Sequence, residues 1–231
     1  MTSFLGVDLG WFGKPTGLAA TTLVEGRVVL RSVERMERVD EILAWIETWA
    51  GADCVCAVDA PLVIPNATGI RQGERELNAQ FQRFHAGCHP ANLGRPFASY
   101  VTGFSRSLEA SGFRHGPGMP AQAAGRWQIE VHPHAATVSL FGLGRIVKYK
   151  RGRRADRARE LARLRSLILT LPVDGVELIP EIPTAGPLKP AEDCIDAVLC
   201  AFIAAVWWQR AADGSYVFGT ADSGYIVVPA R

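Results

Sequence analysis

Short apolar runs that end in an acid recur along this 231-residue chain. Phe4-Leu5-Gly6-Val7 runs into Asp8, Cys54-Val55-Cys56-Ala57-Val58 into Asp59, and Trp127-Gln128-Ile129 into Glu130. Runs this short, with no 3.6-residue period, predict buried strands. Strand-like stretches at 18–24 and 27–33 flank Glu25-Gly26, which predicts a hairpin. The Gly- and Pro-containing stretch 10–17 supplies the turn before it. Residues 38–50 carry Val39, Ile42, Leu43, Ile46 and Trp49 at helical spacing, with Asp40 and Glu41 where a helix N-terminus favours acids. A strand reached through a crossover helix normally runs parallel to its partner, so Asp8 and Asp59 are expected at one edge of the sheet.

Residues 62–124 break this rhythm. They are rich in Gly, Pro, Asn and Arg, and only 72–85 has a helical pattern, through Leu77, Phe81 and Phe84. They read as an insertion or lid over the sheet edge within a single domain spanning 1–231. The stretch 87–125 is too long for a plain loop and is expected to be functional or mobile. Beyond it the pattern predicts a helix over 133–141 and an amphipathic helix to about 171. A Pro-rich connector over 172–190, a last helix over 191–209 that is apolar almost all round, and a hairpin within 216–228 complete the chain.

Composition narrows the class without choosing the chemistry. An apolar fraction of 48% with 21% charged residues suits a folded globular chain, and a net charge of +2 favours no partner. The five Cys are odd in number and sit mostly in apolar runs, which fits reduced, buried thiols. The N-terminal residues lack a basic region followed by an apolar stretch. The most apolar segment, 194–208, is too short to span a bilayer. A soluble, cytoplasmic protein with no membrane partner is the expectation.

Candidate chemistry lies in the acids. Asp8, Asp59 and Glu130 end strands, while Asp193 and Asp196 open an otherwise apolar helix, three residues apart and so near one face. Each has a simpler reading. Asp8 and Asp59 can cap turns, Asp193 can cap its helix, and Glu130 can end a strand at solvent. Together they would be costly in a poorly solvated place unless a cation neutralises them. Hard oxygen ligands, in place of Cys or His, favour Mg²⁺ or Mn²⁺ over zinc, and two such ions about 4 Å apart suit in-line cleavage of phosphodiesters.

Several stretches carry a resemblance. FLGVDLG followed by TGLAA, AVDAPL, and AEDCIDAVLCAFIAA resemble the ribonuclease H-like superfamily, and the last helix is similar to that of Holliday-junction resolvases. GVDLGW, VDAPL, GIRQGERELN, IEVHPHA with a following FG, KYKRG and EDCIDAVLCA extend the likeness over nearly the whole chain, to an uncharacterised family of predicted ribonuclease H-like nucleases. The resemblance implies an α/β fold: a five-stranded mixed sheet in order 3-2-1-4-5, strand 2 antiparallel, helices on both faces and a lid inserted after strand 4. It implies a metal-dependent nuclease in which Asp8 bridges two Mg²⁺ or Mn²⁺ ions. Asp59 and Glu130 compete for one position, Asp196 is a further metal ligand, and Asp193 is a further site residue. GVDLG also resembles the phosphate-binding hairpin of sugar kinases, but those need a second such domain, which this chain lacks.

Other residues point to a nucleic-acid partner, DNA or RNA. Residues 145–165 carry a local charge of +8, which fits either a solvated helix face or a phosphate track including Lys148, Lys150 and Arg151. Arg71 and Arg75 beside the insert helix, and Lys14 after Asp8, are candidates for the same role. Trp11 is placed to stack on a base. His132 and His134 flank Pro133, where phosphate positioning, metal binding and plain hydrogen bonding are all open. The alternative from another class is a non-catalytic nucleic-acid- or nucleotide-binding protein of the same fold. A homodimer is one assembly open to it.

Overall fold

The computed structural model describes residues 1–11 and 14–231; Phe12 and Gly13, in the turn expected at 10–17, lie outside the described residues. The chain opens with β1 (Ser3–Asp8), β2 (Thr16–Val24) and β3 (Arg27–Met36), then α1 (Val39–Trp49) and β4 (Cys54–Val58). α2 (Gln72–Phe81), α3 (Ala98–Ala110) and β5 (Arg114–His115) follow, then β6 (Arg126–Glu130) and α4 (Pro133–Phe141). α5 (Arg154–Ile168), β7 (Val173–Asp174), α6 (Lys189–Arg210) and the hairpin β8 (Ser215–Thr220) and β9 (Gly224–Pro229) complete it.

The main sheet has seven strands in the order β5-β6-β4-β1-β2-β3-β7, so the expectation of five is corrected. The expected order forms its middle as β3-β2-β1-β4-β6. β2 is antiparallel to both neighbours, whereas β1, β4 and β6 run parallel. The two added strands, β5 and β7, have only two residues each, too few for an apolar period to show. The insertion also differs from expectation: 87–125 holds α3, although Gly103 and several Ser and Thr dilute its pattern. Burial of Val101, Phe104 and Leu108 at helical spacing against the α1 side of the sheet explains why it forms.

Two layers cover the sheet. α1 and α3 pack on one face with Leu5, Val7, Cys56 and Val58. α6 packs on the other with Phe4, Ala19, Val55 and Ala57. α6 lies unusually close to β1 and β2. A side chain at Gly6 would run into the backbone of Ala197 and Ala201, and one at Gly17 into the backbone of Asp193. These two glycines therefore set the depth of α6, and with it the position of the acids on its first turns. The C-terminal hairpin packs Phe218, Ile226 and Val228 against Leu77, Phe81 and Val138, tying the insert to α4.

Candidate active site

Strand register decides which acids meet. Val7 of β1 pairs with Val58 of β4, and Val58 pairs with Glu130 of β6. Side chains at matched ranks of parallel strands share a face, and the next residue turns to the other. Glu130 therefore faces the α1–α3 side with Val7 and Val58, while Asp8 and Asp59 face α6. The Asp59 amide donates to Val7 O at 2.8 Å, which holds the two aspartates side by side at the strand ends.

α6 brings the third acid. Asp196 is fully buried. It accepts a hydrogen bond from Tyr149 Oη at 2.7 Å, and Lys150 Nζ lies 2.9 Å from its Oδ2. That second contact is an ion pair without hydrogen-bond geometry, because Asp196 Oδ2 has no hydrogen-bond partner. Burial holds the Asp8 carboxyl well above its ordinary pKa, Lys150 opposes the shift, and Asp196 and Asp59 add to it. Burial likewise raises Asp59 to about 6, with Lys150 opposing and Asp196 reinforcing. Burial would lower Lys150, but Asp196, Tyr149, Asp8 and Asp59 outweigh it and keep its ammonium charged. Lys189 also opposes the shifts of Asp8 and Asp59, so three carboxylates are electrostatically linked to two ammonium groups.

The histidines stand beside this group. The His134 ring lies 5.5 Å from that of Tyr149 and 5.9 Å from that of His132. Burial, then His134 and Lys150, push His132 down to about 3; burial and Lys150 push His134 down to about 4. Both are neutral near pH 7, and His132 Nε2 is buried with no partner.

Two predicted acids are engaged elsewhere. Glu130 is gripped by Arg71, whose Nη1 and Nη2 donate to its oxygens at 2.8 and 2.5 Å, and it also accepts from the Leu62 amide at 2.9 Å. Arg71 also donates to Glu74 and to Val63 O. Arg71 and Glu130 are both buried, so this arginine is withdrawn from phosphate binding and this glutamate from the Asp8 face. Asp193, 1% exposed, pairs with Arg35 at 2.9 Å and with Lys189. Glu192 beside it pairs with Arg157 at 3.1 Å.

Much of the basic run is likewise structural. Arg157 donates to Tyr149 O, Arg154 to Pro183 O and Gly186 O, and Arg165 to Pro180 O. Lys14, Arg75, Lys148 and Arg151 remain exposed. Trp11 is 39% exposed and stacks on Phe97 with ring centroids 4.2 Å apart. Tyr149 and Lys189 joined the site without being singled out for it, whereas the sequence already marked His134 with His132. KYK and HPH were visible in the sequence, but a tyrosine amid charges reads as a surface residue until its acid partner is known.

The donor chemistry suits a hard divalent cation: Asp8, Asp59 and Asp196 offer carboxylate oxygens, one of them without a hydrogen-bond partner. Among the described residues, no three His, Cys, Asp or Glu side chains are already grouped to hold a metal ion. Lys150 and, less strongly, Lys189 supply positive charge beside them.

The charge of Asp59 has a measurable cost. Its carboxyl titrates near 6 in the fold and near 3.8 in the unfolded chain. Between about pH 4 and 6 the folded state holds a proton that the unfolded state has released, so stability falls as pH rises through this window. His132 and His134 act oppositely: the unfolded chain takes up their protons below about 6.5. With metal chelated, Asp59→Asn is expected to melt above the unsubstituted protein at pH 8, with the gap closing from pH 6 to 4. The histidine contributions cancel in that difference, and a gap independent of pH contradicts the assignment.

No helix among the described residues is long and apolar enough to cross a membrane. No curated protein matches the chain. Residues 6–220, a span that holds every residue of the cluster, match the family described as "Protein of unknown function (DUF429)", and the chain belongs to that family.

Proposed function

We propose that this protein is a ribonuclease H-like nuclease, hydrolysing nucleic-acid phosphodiester bonds with Mg²⁺ or Mn²⁺ held by Asp8, Asp59 and Asp196. The observation that carries this reading is the electrostatic linkage of three carboxylates, from β1, the end of β4 and α6, with the ammonium groups of Lys150 and Lys189. Burial and mutual repulsion raise Asp8 and Asp59. Such a group is costly to build, and perturbed acids of this kind mark functional sites more often than structural ones. The strand order β3-β2-β1-β4-β6, with β2 antiparallel, supports the same reading.

A bound divalent ion would supply Lewis-acid stabilisation of the phosphate and activation of the attacking water. The chain's own residues do the rest. Asp8 and Asp59 present their carboxylates side by side at the strand ends. Tyr149 fixes the Asp196 carboxylate through its hydroxyl. His134, kept neutral, can accept or donate a proton beside it. The exposed Lys148 and Arg151 meet the phosphate backbone, and Trp11 on Phe97 offers a stacking surface.

Duplex, single-stranded, junction and hybrid oligonucleotides incubated with Mn²⁺, Mg²⁺ or chelator test this. Cleavage of at least one substrate, lost in chelator and restored by Mn²⁺, is expected. Binding without cleavage under every metal condition would favour the non-catalytic alternative, for which the charge already supplied by Lys150 speaks.

A further inference from the structure

We infer that Lys150 is a resident counter-cation: its ammonium holds the place among Asp8, Asp59 and Asp196 that a divalent ion takes, and must leave Asp196 for that ion to bind. The inference rests on the metal-dependent reading above and concerns how that site is loaded.

Four observations carry it. First, Lys150 Nζ lies 2.9 Å from Asp196 Oδ2, yet that oxygen has no hydrogen-bond partner. The attachment is therefore coulombic and not directional. Second, the other oxygen of Asp196 accepts from Tyr149 at 2.7 Å. The carboxylate stays aimed when Lys150 departs, because a different residue orients it. Third, the Lys150 side chain is 32% exposed, whereas Asp196 is fully buried. A lysine stem is long and rotatable, so a path to solvent is open to this ammonium. Fourth, Lys150 lies in the irregular segment between α4 and α5, followed by Gly152 at φ +117°. No helix or strand hydrogen bonding has to break for it to move.

Charge then explains why such a residue is needed. Without Lys150, Lys189 alone would oppose the mutual repulsion of the three carboxylates. α6 is fixed backbone to backbone over Gly6 and Gly17 and cannot yield. The Lys150 ammonium relieves more of that repulsion than Lys189 does and helps keep the acids gathered. A divalent ion relieves more, and the two cannot share one position because like charges at contact repel strongly in a poorly solvated site. Lys150 and the metal are therefore competitors, and the lysine lowers metal affinity while preserving the geometry that the metal needs.

Calorimetric titration of Mn²⁺ into the full chain without nucleic acid tests this, comparing the unsubstituted protein with Lys150→Met and Lys150→Arg. Lys150→Met keeps the stem and removes the charge. It is expected to bind Mn²⁺ at least tenfold more tightly, while Lys150→Arg stays within about threefold of the unsubstituted protein. Without metal, Lys150→Met is expected to melt lower, and Mn²⁺ is expected to raise its melting temperature more steeply. If Lys150→Met is largely unfolded without metal, its recovery on adding Mn²⁺ supports the proposal. Unchanged or weaker Mn²⁺ binding in Lys150→Met, or no recovery of an unfolded variant, overturns it. Absence of Mn²⁺ binding in all three proteins overturns the metal-dependent reading itself, and this inference with it.

Discussion

Asp8→Asn is expected to lose cleavage by on the order of 10³-fold or more, the scale at which groups acting on transition-state charge are felt. Asp8 ends β1 on the face toward α6, where burial and two neighbouring carboxylates oppose its charge until a cation neutralises it. Asparagine has nearly the same size and accepts the same packing, but cannot neutralise a divalent ion. Removing the charge also removes the repulsion, so the metal-free variant is expected to melt slightly above the unsubstituted protein. Lost activity together with raised stability separates chemistry from folding, because a variant that merely misfolds loses both. The measurements are initial cleavage rates in Mn²⁺ and thermal melts in chelator. Cleavage retained within tenfold would remove Asp8 from the machinery.

Glu130→Ala is expected to act on stability and to spare the metal. Arg71 lies buried between Glu130 and Glu74, with its remaining hydrogen bond to Val63 O. Glu74 in turn accepts from the Ala91 amide. One guanidinium thus joins β6, α2 and the loop that precedes α3. Removing one partner of a buried pair leaves the other charge uncompensated and costs about 3–5 kcal/mol. For a chain of this length that is a fall of roughly 10 °C in melting temperature. Mn²⁺ affinity is expected to be unchanged, since Glu130 faces away from Asp8. Arg71→Met combined with Glu130→Met is expected to recover much of the loss, because an apolar pair leaves no orphaned charge there. A Glu130→Ala variant that melts normally but binds Mn²⁺ poorly would return Glu130 to the site.

These two acids show what a sequence reveals and where it stops. Asp8, Asp59 and Glu130 all end apolar runs, and the runs themselves predicted the three strands that form. Whether a strand-end acid points toward α6 depends on register, and a shift of one residue reverses the face. Val58 pairing with Glu130 is a fact of three-dimensional alignment that no local pattern contains. Asp196 was legible because an acid deep in an apolar helix demands an explanation. Tyr149 was not, because its partner lies 47 residues further along the chain. The charge run 145–165 fitted either a solvated helix face or a phosphate track, yet Arg154, Arg157 and Arg165 close loops onto carbonyl groups. Density of charge says nothing about which side chains turn inward. α3 was hidden for the opposite reason: tertiary burial of Val101, Phe104 and Leu108 overrides a sequence whose own helix preference is weak.

The depth of α6 over Gly6 and Gly17 bears on how the protein is made. Asp8 and Asp59 are synthesised well before Asp196 and the helix that carries it. Until α6 docks, β1, β2 and β4 have one bare apolar face, and their acids have neither Tyr149-aligned Asp196 nor a packed surface to define them. A growing chain therefore carries two of the three carboxylates without being able to gather a cation at the finished geometry. The cluster is completed only once α6 has docked. The bare face is the exposure that synthesis must manage until the last long helix arrives.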